Sequence, residues 1–424
     1  MTAPDPEITP GPAPETDPDP APTIHPVLAA AESILPDVTE VRRRLHRTPE
    51  IGLRLPATQE IVIEALRALG LEARPGESTS SVVAVIEGAR PGPTILLRAD
   101  MDGLPLREDT GLAFASENTG VMHGCGHDTH VAMLLGAARL LVERRDHLAG
   151  RVLLMFQPGE EGYHGARFML EEGLLEDGPH GAGAVERAVA IHISTEHAAN
   201  TIALRPGALL ASADAIRATV RGRGGHASAP HAALDPIPTA AELVLALQAA
   251  LTRSVDPFDP AVLTIARISG GTTNNIIPET VEIEGTIRTV SPETRELMGN
   301  LVRRVASGVG AAHGTEVELE IVPGYPVTMC DPEVTGWVRG LVVALAGEAG
   351  VVDMAQPIMG AEDFSYVTEQ VPGMMAVLGA RPDAEDPDTA PQNHSNKVVF
   401  DEPSMALGVA LYAAAALDFL GGAG

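Results

Sequence analysis

Residues 121–130, VMHGCGHDTH, gather three histidines, a cysteine and an aspartate among glycines. Sulfur and imidazole nitrogen together suit a zinc-like or manganese-like divalent ion, and glycine lets a backbone bend tightly enough to turn such side chains inward. Cys125 and His127, one residue apart, are two candidate ligands that a folded loop can aim at one ion or bridge between two. The competing reading is a polar loop with a surplus of histidine. Carboxylates and further histidines elsewhere in the chain decide between them.

Glu160 and Glu161 are adjacent carboxylates that follow an apolar run and Pro158-Gly159. On a turn their side chains can take different tasks, one binding a metal while the other moves protons. Asp100 and Asp102 follow the apolar run 94–99 and suit the orientation of a metal-bound imidazole. His192 ends the run 188–191, and His394 stands in the polar loop 392–397. A lone histidine is more often structural, but both gain weight from position.

The elements that must hold these residues can be read from periodicity. Apolar residues recur at helical spacing over 27–46, stopped by Thr48-Pro49-Glu50, and over 57–69, where Gly70 supplies a C-cap. Runs at 81–87, 94–99, 151–156 and 188–191 read as strands, and 129–142, almost wholly apolar, reads as a buried helix. Strands alternating with helices predict an α/β fold with a largely parallel sheet and helices on both faces. Ligands of such sheets sit beyond the carboxyl ends of the strands, which is where the runs ending in Asp100/Asp102, Glu160/Glu161 and His192 place their polar residues. Near Ser212 the order becomes strand 213–221, helix 236–253, strands 261–268 and 281–289, helix 291–308 and strand 316–321. That βαββαβ order is a ferredoxin-like unit inserted in the larger fold. Helix 333–346, strand 374–378 and helix 402–420 then resume the first pattern. The expected division is a Pro/Asp-rich disordered tail at 1–26, with nine prolines, a catalytic domain in two parts, 27–211 and 324–424, and the inserted unit at 212–323.

Composition narrows the partners. With 57 acidic and 29 basic residues the net charge is -28, which repels nucleic acid, and 3% aromatic content leaves little for stacking on bases. Two cysteines, Cys125 and Cys330, make no disulfide framework, so a reducing cytoplasm is expected. No apolar run exceeds what buried helices explain and the N-terminus lacks signal-peptide features, so no membrane span is expected.

With these residues in place, the chain resembles the M20 metallopeptidase superfamily, in its amidohydrolase branch of hippurate hydrolases, indole-3-acetyl-amino acid hydrolases and N-acyl amino acid deacetylases. The matching stretches are RRRLHRTPE (42–50), LRADMDGLP (97–105), MHGCGHDTH (122–130), FQPGEEG (156–162), AIHI (190–193), GRGGHASAPH (222–231), GGTTNNIIP (270–278), GTIRT (285–289), MGAEDFSY (359–366) and 394–402. The resemblance implies a metal-dependent amidohydrolase with two divalent ions (Mn²⁺, Zn²⁺, Co²⁺ or Ni²⁺) on Cys125, His127, Glu161, His192 and His394, Cys125 bridging. It also implies Glu160 as general base, Asp102 as the aspartate orienting a ligand, and the inserted unit as a lid and dimerisation domain. His226 resembles the histidine that reaches a partner subunit's active site, and Asn275 and Arg288 resemble substrate contacts to a small N-acyl amino acid. The chain departs from the family at Gly124 and Gly159, often alanine there, and at Asn393, often histidine, which leaves substrate preference open. His164, close behind the glutamate pair, has no counterpart from which to take a role.

Three rivals share these residues. A cysteine hydrolase with Cys125 as nucleophile and His127 or His123 as base leaves Glu160, Glu161, His192 and His394 idle. A non-catalytic binding protein has no need of a complete ligand set beside an intact Glu160. A dipeptidase or an N-acetyl-diaminopimelate deacetylase differs only in the lining of the pocket.

Overall fold

The computed structural model describes residues 26–178 and 180–421. The tail expected at 1–26 lies outside them apart from Pro26, which opens the first helix, Pro26–Arg47. An eight-stranded sheet carries the larger part of the chain. Its spatial order is Arg74–Pro75, Val82–Glu87, Ala149–Gln157, Arg90–Asp100, Val185–Ala198, Gly373–Arg381, Thr201–Leu204 and Val351–Asp353. The four middle strands run parallel. Val82–Glu87 and Thr201–Leu204 join them antiparallel on either side, so the parallel character is confined to the centre and the outermost pair. Central strands are covered on both faces, and Gly373–Arg381 is accordingly buried over all but its last residue.

Three of the boundaries that differ from the sequence reading bear on the polar residues, each for a local reason. Asp100 closes its strand instead of following it, because it still pairs with Gln157. The strand expected to stop before His192 runs through it to Ala198, prolonged by pairing with Gly373–Arg381. The helix expected from 129 starts at His127, with Gly126 at φ 86° immediately before it. A β-carbon on Gly126 would lie 2.4 Å from Ile193 Cγ2, so glycine is required there both for its backbone and for space. His127 is therefore a rigid helix residue and Cys125 sits just ahead of a helix N-terminus.

The helices Pro26–Arg47, His127–Val142 and Met405–Leu420 pack on one another. The stretch Glu402–Leu420 is long and apolar enough to cross a membrane, but 78% of it is buried inside the fold, as a core helix requires. A second hydrophobic cluster belongs to the inserted segment. There the strands Ala261–Gly270, Thr280–Thr289, Asp214–Arg221 and Glu316–Val322 form an antiparallel sheet in that spatial order, with helices Pro236–Ser254 and Pro292–His313. This is the order of the ferredoxin-like unit. Asp214–Arg221 alternates buried and less buried positions residue by residue, so one face meets the helices and the other is open.

The deepest charge in the larger sheet is Arg98, 1% exposed, within 2.7 Å of Asp100 and Glu362 and 3.2 Å of Asp363, with Nε donating to Gln157 Oε1. Removing one partner from such a buried cluster leaves uncompensated charge, a loss of about 3–5 kcal/mol. Arg98→Met is expected to lose roughly that amount at neutral pH in denaturant unfolding. Burial pushes the Asp100 carboxyl upward and Arg98 with His127 and His130 outweighs it, holding it well below the usual carboxylate range. Its stabilisation is therefore full above the unfolded carboxyl value of about 4 and fades on acidification. The gap between Arg98→Met and wild type is expected to hold down to about pH 4 and to narrow only as the pH falls below it.

Candidate metal centre

The turn after strand Ala149–Gln157 hangs on one carboxylate. Asp102 accepts the backbone N–H of Glu160 at 3.0 Å and of Glu161 at 3.1 Å, one on each oxygen, and stands 3.4 Å from His127 Nδ1. A single aspartate thus sets the glutamate pair and the first helical histidine relative to each other. The Tyr325 hydroxyl donates to the Glu160 carbonyl and fastens the turn from the other half of the chain.

Strand register brings in His192. Arg98 pairs with Ala190, so Asp100 and His192 lie level at the same end of adjacent strands. His192 Nδ1 donates to the Ile193 carbonyl at 2.8 Å, which directs Nε2 at Cys125 Sγ, 3.4 Å away. His394 arrives on the loop before the last helix, its N–H donating to the Gly124 carbonyl, with Nε2 3.3 Å from Cys125 Sγ and 3.2 Å from Glu161. Asn393 locks that loop by donating to the carbonyls of Cys125 and Ile193.

Ligand-type atoms of Cys125, His127 and His192 lie within 4.8 Å of one another, as do those of Cys125, Glu161 and His394, and of His127, Glu160 and Glu161. The first two groups share the thiol. Both ring nitrogens of His127 are buried without a hydrogen bond, Asp102 standing 3.4 Å from Nδ1, and Glu161 Oε1 has only the 3.2 Å contact with His394 Nε2. Buried polar atoms without partners are rare and need a reason, and a sulfur common to two groups of N and O donors fits a pair of soft-to-borderline divalent cations. The residues present fit the implied metals.

Among the protein groups alone, charge is already arranged for such ions. Burial would raise the Cys125 thiol, but His192 and His127 outweigh it and hold it well below its usual value. The position ahead of a helix N-terminus acts in the same sense. Burial lowers His192 and Cys125 overrides it, lifting the imidazole to about 9. His394 is lifted to about 10 by its contacts with Cys125 and Glu161. Glu160 is pushed well above the usual carboxylate range by burial, then by Glu362 and Glu161.

These groups border a cavity of about 590 Å³ whose lining includes Cys125, Glu160, Glu161, His192 and His394, an apolar wall with Leu210, Ile358, Met375 and Val377, and Arg288 from the inserted segment. Of the sequence-predicted residues, Asp102 and His127 lie buried behind the lining, and Asn275 and His226 do not line it. The latter two are exposed, on the loop and hairpin where Gly225–His226 pairs with Ile276–Ile277. The remaining polar residues of the 121–130 stretch face away from the Cys125 cluster. His130 Nδ1 contacts Asp100 and its Nε2 accepts the Ile193 N–H, Asp128 pairs with Arg42 at 2.7 Å and His46 at 2.8 Å, and His123 is buried with neither nitrogen bonded. Arg98, Gln157, Tyr325, Glu362 and Asp363 went unremarked in the sequence reading as individual residues. For all but Tyr325 the one signal was membership of the LRADMDGLP, FQPGEEG and MGAEDFSY stretches; Tyr325 belongs to none of them.

The Peptidase family M20/M25/M40 pattern matches residues 96–418. "Thermostable carboxypeptidase 2" of Saccharolobus solfataricus is 38% identical over 386 residues, 90% of this chain and 95% of that protein. "N-acetyl-L-cysteine deacetylase" of Bacillus subtilis is 39% identical over 339 residues, 80% of this chain and 79% of that protein. The crystal structure of a Bacillus subtilis dinuclear-metal-binding peptidase from the M20 family superposes with a TM-score of 0.79 at 31% identity, covering 92% of this chain and 99% of that one. The chain belongs to the M20/M25/M40 peptidase family and is a metal-dependent hydrolase of amide bonds.

Proposed function

We propose that the protein cleaves the amide bond of N-acyl amino acids, N-acetyl, N-benzoyl or similar, to a carboxylate and a free amino acid. The observation that carries this reading is Glu160, a buried carboxylate that accepts no hydrogen bond among the described residues and borders the cavity beside two ligand groups sharing Cys125. Cys125, His127, Glu161, His192 and His394 would hold two divalent ions, Mn²⁺, Zn²⁺, Co²⁺ or Ni²⁺. Such ions supply acidity to a water and polarise an amide carbonyl. Glu160 takes the proton of the attacking water and returns it to the departing amine, and a carboxyl raised above its usual range serves both directions. Asp102 fixes where that carboxylate stands, through the two backbone N–H groups it receives. The apolar wall of the cavity accommodates the acyl group or side chain, and Arg288 is the cationic contact for the substrate carboxylate. A peptidase acting on short peptides is the second reading, favoured by the similarity to a carboxypeptidase at 38% identity. The deacetylase similarity and the size of the cavity, about 590 Å³, favour the small N-acyl substrate.

The segment 212–323 is read as a lid and dimerisation domain between the two parts of the catalytic domain, 27–211 and 324–424. Its strand Ala261–Gly270 is a sheet edge that exposes Val262 and Ile268, and an unpaired edge with apolar side chains is a template for a second copy. His226 and Asn275, exposed on this segment, would complete the partner's site rather than their own. The two cysteines are free and buried, which supports a reducing cytoplasmic setting.

Glu160→Gln is expected to keep its metal content while turnover of hippurate or an N-acetyl amino acid falls about 10²–10⁴-fold; metal analysis and initial rates on the same sample check it. Chelator treatment is expected to abolish turnover and Mn²⁺ or Zn²⁺ to restore it. Persistence of activity in the stripped protein would favour Cys125 as a nucleophile. His226→Ala and Glu160→Gln, each inactive alone, are expected to recover activity when mixed and allowed to exchange subunits; absence of recovery places His226 outside the partner's site.

A further inference from the structure

Among the described residues only His164, Asn200 and His394 are non-glycine residues with positive φ. That conformation is unfavourable for any residue carrying a β-carbon, and where it persists at a site the surroundings must over-determine it. Two of the three, His394 and His164, line the same cavity. His394 is accounted for as a metal ligand. His164, at φ 60°, is not.

Its surroundings hold the ring as a built feature. Tyr325 packs edge-on against it, ring centroids 4.8 Å apart, and the Tyr366 hydroxyl is 2.9 Å from Nδ1. The Gly324 carbonyl is 3.4 Å from the same hydroxyl, and Tyr366 can meet Nδ1 in either tautomer of the ring. Burial and then Arg167 lower the imidazole from its usual value and keep it neutral. A neutral ring whose Nδ1 accepts carries its hydrogen on Nε2. Nε2 has no partner among the described residues. Arg288, the one arginine or lysine lining the cavity, has none either among the described residues. Donors that border one cavity from the sheet side and from the insertion side match an anion that accepts from both.

We infer that His164 is a substrate-binding residue that donates from Nε2 to the carboxylate of the N-acyl amino acid, together with Arg288. This rests on the proposed N-acyl amino acid hydrolysis. It makes His164 a determinant of selectivity for substrates bearing a free carboxylate, distinct from the metal ligands and from Glu160.

The test compares His164→Gly with wild type, both Mn²⁺-loaded, on N-benzoylglycine and N-benzoylglycinamide, following benzoate release. Glycine suits the positive φ, so the melting temperature should not fall and loss of folding is not a confounder. Loss of a hydrogen bond to a charged group is expected to raise KM for N-benzoylglycine about tenfold or more, with kcat and the KM for the amide little changed. His164→Asn, which tolerates the same backbone and restores an N–H, should recover part of the loss. Equal KM increases for acid and amide, or a fall in kcat at constant KM, overturn the inference. Calorimetric binding of N-benzoylglycine to Mn²⁺-loaded Glu160→Gln, with and without His164→Gly, decides the point independently of turnover. Weaker binding in the double variant supports it, and equal affinity or absence of binding overturns it. Wild-type protein that binds N-benzoylglycine but does not cleave it would refute the proposed function and leave this binding result standing.

Discussion

A guanidinium with almost no access to water holds three parts of the chain to one point. Arg98 lies two residues before the end of a central strand of the sheet, meets Glu362 and Asp363 from the segment after the insertion, and bonds Gln157 at the end of the strand that leads to the glutamate turn. A charge in so dry a place is tolerable only when paired and hydrogen-bonded, so its partners cannot drift. Their positions pass outward. Asp100 orients His130, whose Nε2 takes the Ile193 N–H next to His192. Asp363 also accepts the Ala166 N–H beyond the glutamate pair and the Gln157 amide. The side chains proposed as metal ligands therefore stand on a scaffold of buried carboxylates, and Arg98 keeps that scaffold from repelling itself apart.

The same arrangement explains the state of Glu160. The general-base role proposed for Glu160 calls for a carboxyl higher than that of free glutamate, so that the proton can be released again. Burial supplies most of the push, and Glu362 and Glu161 add to it. Arg98 satisfies Glu362 directly and makes no hydrogen bond to Glu160 among the described residues, so it holds the neighbours in place without consuming the base. Asp102 works at the backbone level, fixing the turn and leaving both glutamate side chains free for different tasks.

What could be read from sequence follows from how local each signal is. The ferredoxin-like order of the insertion was legible because its strands alternate in burial and its helices are amphipathic, as in Asp214–Arg221 and Pro292–His313. The ligand types were legible because few other uses bring Cys, His and paired Glu to strand ends. The course of the strand through His192 was not, since Ile193 to Ala198 is polar enough to resemble a loop and is held extended by a partner almost two hundred residues away in sequence. Nor was Arg98 singled out: a basic residue in an apolar run carries no mark of the carboxylates that will surround it, because Glu362 and Asp363 join it only through the fold. His164 was invisible for a related reason, as its role depends on Tyr325 and Tyr366 from the far end of the chain.

The placement of the inserted segment against the sheet rests on the two points where the chain crosses between them. Ala213 donates to the Tyr325 carbonyl, Ser212 to that of Thr289, and Asp214 pairs with Arg295 at 2.6 Å while accepting the Gly324 N–H. Gly324 is confined further, because a β-carbon there would lie 1.8 Å from the Ala213 carbonyl oxygen. The crossing that fixes the insertion thus adjoins Tyr325, which fastens Glu160 and packs on His164. Arg288 reaches the cavity only from the insertion side, whereas His164 and Glu160 belong to the sheet side. A motion of the inserted segment about these crossings would change the distance between Arg288 and the sheet-borne groups first, and a substrate carboxylate held from both sides would be what draws them together.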